Sequence, residues 1–136
     1  MRGIQFRVRN LDTNKVIGYE FLTDQYHKGY HWHKIYIDNE DIGDDVFKEN
    51  NLNREQYIGL DDENNTLIYE GDIVSINNNE IIAEVIYNSE STAFILKVIK
   101  GNIACKKIIF NAAFINNIEV IGNIYENKKL LEEWIW

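Results

Sequence analysis

From Gln56 to Tyr125 the chain is a succession of short apolar runs separated by brief polar connectors. The runs cover 56–60, 67–70, 73–77, 80–88, 92–99, 103–110 and 118–125, and the connectors include NNN at 77–79, NSES at 88–91, Gly101-Asn102 and Asn116-Asn117. Runs of this length, rich in Ile, Val, Tyr and Phe and bounded by turn-forming residues, predict strands rather than helices. Seven of them in a row confine this part of the chain to a small antiparallel barrel or sandwich. Several runs, such as IIAEVIY, are apolar at successive positions, so their strands are expected to be central or covered by other parts of the chain.

The N-terminal part alternates. In IQFRVR (4–9) Ile4, Phe6 and Val8 share one side of an extended chain and Gln5, Arg7 and Arg9 the other, which predicts a half-buried strand. The turn residues NLDTNK follow, and VIGYEF (16–21) reads as the returning strand of a hairpin. Residues 22–29 read as a loop and YHWHKIYI (30–37) as a third strand. The acidic stretch 38–51 reads as a loop with one helical turn at 45–50. The composition shift there divides the chain into 1–55, a hairpin with an irregular acidic region, and 56–136, a β-rich core. The last segment, NKKLLEEWIW, has Asn127 at a helix N-cap position and Leu130, Leu131 and Trp134 at helical spacing.

Charge narrows the functional classes. Fourteen Lys and Arg against 22 Asp and Glu give a net −8. Phosphate-gripping proteins usually present a basic face, because counterion release supplies affinity, so direct nucleic-acid binding is not expected. The single cysteine, Cys105, cannot close an internal disulfide and sits in the run NIACKKIIF, where it reads as a small buried hydrophobe. MRGIQFRVRN has no apolar core of a signal peptide, and no run approaches the roughly 20 residues of a membrane span. A cytoplasmic protein is expected.

Two longer stretches carry a resemblance. QYIGLDDENNTLIYEGDIV (56–74) and EVIGNIYENKKLL (119–131), with the start IQFRVRNLDTNKV and the middle AEVIYNSESTAFIL, resemble the YopX family of phage and prophage proteins, in order and at matching spacing. The resemblance implies an SH3-like β-barrel core, a less regular N-terminal part and a phage or prophage origin, hence a bacterial host cytoplasm. It implies no activity. The chain departs from the family pattern at Arg9, where a Trp is usual, at Asn65, where a Gly is usual, and at Lys128, where a Pro is usual. Asn tolerates the left-handed backbone that a Gly would take, so the turn at 65 is expected to survive.

Each candidate site has a structural reading beside the chemical one. In the motifs, Gly59, Tyr69, Gly71, Asp72, Gly122, Asn123 and Tyr125 read as structural; Gly71 permits a sharp hinge and the Asp72 carboxylate caps it. Glu70 and Asp72 lack an evident partner for acid–base work. The loop Asp61-Asp62-Glu63-Asn64-Asn65 resembles a calcium loop only in its acids: the sixth and twelfth positions are Thr66 and Asp72, not Gly and Glu, and strands flank it. His27, His31 and His33 are metal candidates; beside that stands the structural reading, since His31 and His33, two apart on a strand, share a side but no fourth ligand is evident. No phosphate loop is present, and no cofactor is expected.

The reading that follows is a mainly β protein without enzymatic activity, a protein-binding or oligomeric accessory module. The clustered Leu130, Leu131, Trp134 and Trp136 are its expected self-association surface. One alternative is an acidic decoy that mimics DNA before a host DNA-binding protein; another is a metal-dependent enzyme at His27, His31 and His33.

Overall fold

The computed structural model describes residues 4–27, 30–37, 40–41, 51–110 and 117–134, with side chains at 5–20, 51–110, 117–129, 131 and 132. The chain is mainly β: two antiparallel sheets and little helix. It divides into two compact units, Met1–Tyr57 and Ile58–Trp136.

The first unit is built on β1 (Ile4–Asn10), β2 (Lys15–His27), β3 (Tyr30–Ile37), the two-residue β4 (Glu40–Asp41) and the start of β5 (Leu52–Asp61), in the order β4-β3-β2-β1-β5. The β1–β2 turn is tight. Asn10 Oδ1 accepts from the Asp12 N–H at 2.8 Å and the Thr13 N–H at 3.3 Å, and Asn14 takes a left-handed φ of 60°. A short side-chain carbonyl can replace a backbone acceptor in this way, which is why Asn suits the position. Two expectations are corrected here. The returning strand does not stop at Phe21; β2 runs on to His27 and pairs with β3 in register Gly18↔Ile37 through Thr23↔Trp32. Its continuation, LTDQYH, lacks a clean apolar alternation, and cross-strand pairing rather than propensity extends it. Nor is β1 half-buried: Val8 and Arg9 face opposite sides of the sheet and both have no exposure. The helical turn expected at 45–50 lies outside the described residues.

The second unit holds the end of β5, its neighbour β6 (Leu67–Tyr69), and a five-stranded sheet in the order β10-β9-β8-β7-β11. Its strands are β7 (Asp72–Ile76), β8 (Ile81–Asn88), β9 (Ala93–Gly101), β10 (Lys107–Ile109) and β11 (Ile118–Asn123). A short helix, α1 (Lys128–Trp134), runs beside β9. β8 is the middle strand, and its neighbours Ile82 and Ala83, which face opposite sides, are both buried, as the doubly apolar run requires. One face of the sheet carries the core: Ile68, Val74, Ile76, Ala83, Val85, Leu96 and Ile118, with Ile58, Leu60, Ile81 and Val120 against it. Burying an aliphatic side chain of this size stabilises by about 1.5–3 kcal/mol, so this cluster is the main source of the unit's stability. Among the described residues the sheet does not close into a barrel; β10 and β11 are its two edges.

The run expected to be a strand over 103–110 pairs only at Lys107–Ile109, opposite Ile95 to Lys97. Residues 102–106 form an irregular exposed stretch, and Cys105 within it is exposed, not buried. Its apolar neighbours Ile103 and Ala104 have no paired strand to fix them toward the core. No helix among the described residues is long and apolar enough to cross a membrane.

Candidate functional site

Three buried polar residues of the two motifs, Asp62, Asp72 and Asn123, lie in the second unit and accept backbone N–H groups. Asp62, only 5% exposed, is the hub of the 61–66 loop. Its Oδ1 accepts from the N–H groups of Asn64 and Thr66, both at 2.8 Å, and its Oδ2 accepts from the Val120 N–H of β11 at 2.8 Å. The Glu63 N–H donates to the Ile118 carbonyl at 2.9 Å, and Asn65 takes a φ of 63°. A carboxylate that accepts three N–H donors is a turn-former and a clamp between a loop and a strand edge, not a free base.

The hinge at 69–72 is similar. Gly71 has φ 89°, a conformation that L side chains rarely adopt, and its N–H donates to the Val85 carbonyl at 2.9 Å. Its carbonyl accepts from the Ile124 N–H at 2.9 Å. Asp72, 1% exposed, accepts from the Tyr69 N–H at 2.9 Å, and it lies opposite Asn123 in the β7–β11 register. Asn123 Oδ1 in turn accepts from the N–H groups of Tyr125 and Glu126 at 3.0 and 2.8 Å, while its own N–H donates to Asn127 Oδ1 at 2.9 Å. So Gly71, Asp72, Gly122, Asn123 and Tyr125 sit at one junction, where the EGDIV and IGNIYEN segments meet. Tyr69, at the end of β6, joins it through its N–H bond to Asp72, and Gly59 lies apart from it in β5.

A polar pocket of about 280 Å³ is lined by Glu63, Asn77, Asn78, Glu80 and Asn117. Its floor is set by the β7–β8 turn, where Asn77, Asn78 and Asn79 all have positive φ (52°, 53° and 71°) and Ser75 Oγ accepts from the Asn79 N–H at 2.8 Å. Two carboxylates and three amides line it, groups that can orient a polar ligand and accept its hydrogen bonds.

In the first unit a buried ionic cluster was not foreseen from the sequence. Glu55 is 1% exposed and Arg9 is fully buried. Glu55 Oε1 accepts from Arg7 Nε and Arg9 Nη2, each at 3.1 Å, and Oε2 accepts from Arg9 Nε at 2.8 Å. On the opposite face Glu20, also 1% exposed, accepts from Arg54 Nε at 2.8 Å and Nη2 at 3.2 Å. The strand register brings these together, with Arg7 opposite Glu55 and Val8 opposite Arg54 on β1 and β5. The spacing of Arg7, Arg9 and Glu55 gives no hint of it without the pairing.

The side chains of His27, His31 and His33 lie outside the described residues. The backbone sets His33 opposite Leu22 and His27 opposite Tyr30 on β2 and β3. Among the described residues no three His, Cys, Asp or Glu side chains are grouped to hold a metal ion. Of the C-terminal cluster only Leu131, half-buried, is described in its side chain; those of Leu130 and Trp134 and all of Trp136 lie outside.

One surface went unnoticed in the sequence. On the outer face of the five-stranded sheet, Lys107 of β10 lies opposite Lys97 of β9, which lies opposite Glu84 of β8. Burial pushes the Glu84 carboxyl above its ordinary value, and the Lys97 ammonium partly pulls it back. Ile109, the last residue of the edge strand β10, is 75% exposed. The signal was available: residues 91–118 hold four lysines and no acid.

No curated protein matches the chain. Its structure is similar to the crystal structure of protein EF1440 from Enterococcus faecalis, with a TM-score of 0.53 and 22% identity, over 94% of this chain and 97% of that one. At this identity the likeness is one of fold. The family model described as YopX protein matches residues 5–132, nearly the whole length, and the chain belongs to the YopX family.

Proposed function

We propose that this YopX-family chain is a non-enzymatic protein-binding accessory module with an SH3-like core, and that its second unit makes contact through the β10 edge. One observation carries the reading: Ile109 is 75% exposed on an edge strand. A large aliphatic group beside strand edge N–H and C=O groups suits pairing with an added strand from a partner. The motif side chains support the same reading from the other direction. Asp62, Asp72 and Asn123 accept backbone N–H groups, so the acids and amides of the motifs serve the fold.

The test is affinity capture with wild type and Ile109→Glu in parallel from cells that express the protein, followed by mass spectrometry. The reading expects at least one protein that wild type enriches and the variant loses, with the variant's melting temperature unchanged. Identical capture by both proteins would refute the β10 edge as the contact.

A further inference from the structure

Charge along this chain is strongly segregated. Residues 91–118 contain Lys97, Lys100, Lys106 and Lys107 and no acid, a net +4, while the other residues hold ten bases and all 22 acids, a net −12. The fold concentrates the four lysines. All are exposed, and they lie on β9, on β10 and on the stretch that joins them. Lys97 and Lys107 are direct cross-strand neighbours. Two like charges in that position repel, so the fold carries a local cost there. Glu84, the one acid in the row, is partly buried, and burial disfavours its charged form. The row therefore has unmet demand for negative charge, beside the exposed Ile109.

We infer that this basic, apolar edge docks on the acidic surface of a second copy of the same chain, in a salt-sensitive dimer. This rests on the reading of the β10 edge as a contact surface and names its occupant. The same chain carries the complementary charge: every acid lies outside 91–118, and in the second unit Asp61, Glu63, Glu80, Glu90 and Glu119 are exposed. A two-fold arrangement lets the basic edge of each copy meet acids of the other and closes at two subunits. A nucleic acid fits less well. The patch is four lysines, with neither the arginine forks nor the stacked aromatic platform that such surfaces use, on a chain of net −8.

The experiment is sedimentation of the full chain from low to high micromolar concentration, at low and high salt. The variant is Lys100→Glu with Lys107→Glu. Lys97 keeps its partner Glu84, and residue 107 becomes an opposite charge to Lys97, so the variant should melt no earlier than wild type. Wild type should move from monomer to dimer with concentration at moderate salt. High salt should dissociate it, and the variant should associate more weakly by about tenfold or more. Four results would each overturn the inference: a wild type that stays monomeric throughout, association indifferent to salt, association unchanged in the variant, or duplex DNA binding that the same variant abolishes. A monomeric wild type that still captures a partner through Ile109 removes the second copy as occupant and leaves the edge as a contact surface.

Discussion

Asp62→Ala should be among the most costly single substitutions in the second unit. The carboxylate is 5% exposed and accepts three backbone N–H groups, all at 2.8 Å. Two of these donors, Asn64 and Thr66, belong to the loop, and water can replace the carboxylate for exposed loop groups. The third, Val120, is on β11 and half-buried. A hydrogen bond to a charged group contributes about 1.5–3 kcal/mol, and an orphaned buried donor adds a desolvation cost of about 1–3 kcal/mol. Because the three bonds share one side chain and their losses overlap, the expected total is about 3–4 kcal/mol rather than three full bonds. Asp62→Asn separates the two oxygens. Its single carbonyl can still serve Asn64 and Thr66, but its amide would then face the Val120 N–H, donor against donor. The expected cost is about half that of alanine, roughly 1.5–2 kcal/mol. Urea unfolding at neutral pH measures both, with the midpoint read at a fixed slope. An Asp62→Ala variant within about 0.5 kcal/mol of wild type would refute the clamp, because such a value is typical of a surface site. So would an asparagine variant as unstable as the alanine one.

Three further outcomes follow from single geometries. A Cβ at Gly122 would lie 2.5 Å from Asn127 Oδ1, so Gly122→Ala should displace that side chain from the Asn123 N–H and cost about 0.5–1.5 kcal/mol; in an Asn127→Ala background the same substitution should cost far less, and equal costs in both backgrounds would contradict the coupling. Glu84 has its carboxyl raised by burial, so the folded state holds that proton more tightly than the unfolded chain, and stability falls as pH rises from the unfolded value through the folded one. Glu84→Gln should therefore be at least as stable as wild type at neutral pH and lose that advantage near the ordinary carboxylate range; a variant that is less stable at neutral pH would show that Lys97 outweighs the burial. At the C-terminus, α1 runs beside β9 of its own unit; Trp134→Ala with Trp136→Ala should lower the melting temperature, and light scattering then decides whether the tail also joins subunits, since only that role shrinks the particle.

What the sequence made legible is the part of the fold that local chemistry dictates. Strands β6 to β9 and β11 fall within a residue or two of their apolar runs, because β-branched residues bounded by Asn, Gly and Ser turns leave few alternatives. The same short carbonyl side chains then hold the turns at Asn10, Asp62, Asn88 and Asn123. What the sequence hid depends on pairing. Residues 103–106 are as apolar as many strands, yet only a neighbouring strand decides whether such residues are paired, and β10 begins at Lys107. Cys105 is exposed for that reason. The basic edge was hidden in a different way: the net charge of −8 averages over the asymmetry, and the lysines look scattered until β9 and β10 are set side by side.

Arg9 shows how far a motif departure can be understood. The family resemblance places a Trp there, and an Arg on the polar side of a strand reads as solvent-facing. In the fold the position has no exposure at all, and Glu55 and the Asn14 carbonyl receive the Arg9 guanidinium there. Buried pairs of this kind are asymmetric in what their loss costs. Arg9→Leu leaves Glu55 still bonded to Arg7, so the carboxylate keeps a counter-charge. Glu55→Leu removes the carboxylate that both arginines share, one of them fully buried. Breaking a buried pair by removing one member costs about 3–5 kcal/mol, and Glu55→Leu should fall in that range. Arg9→Leu should cost clearly less. If denaturation ranks the two the other way, the guanidinium stabilises β1 through its packing and its bond to the turn at Asn14, and the shared carboxylate is not what makes Arg acceptable at a buried position.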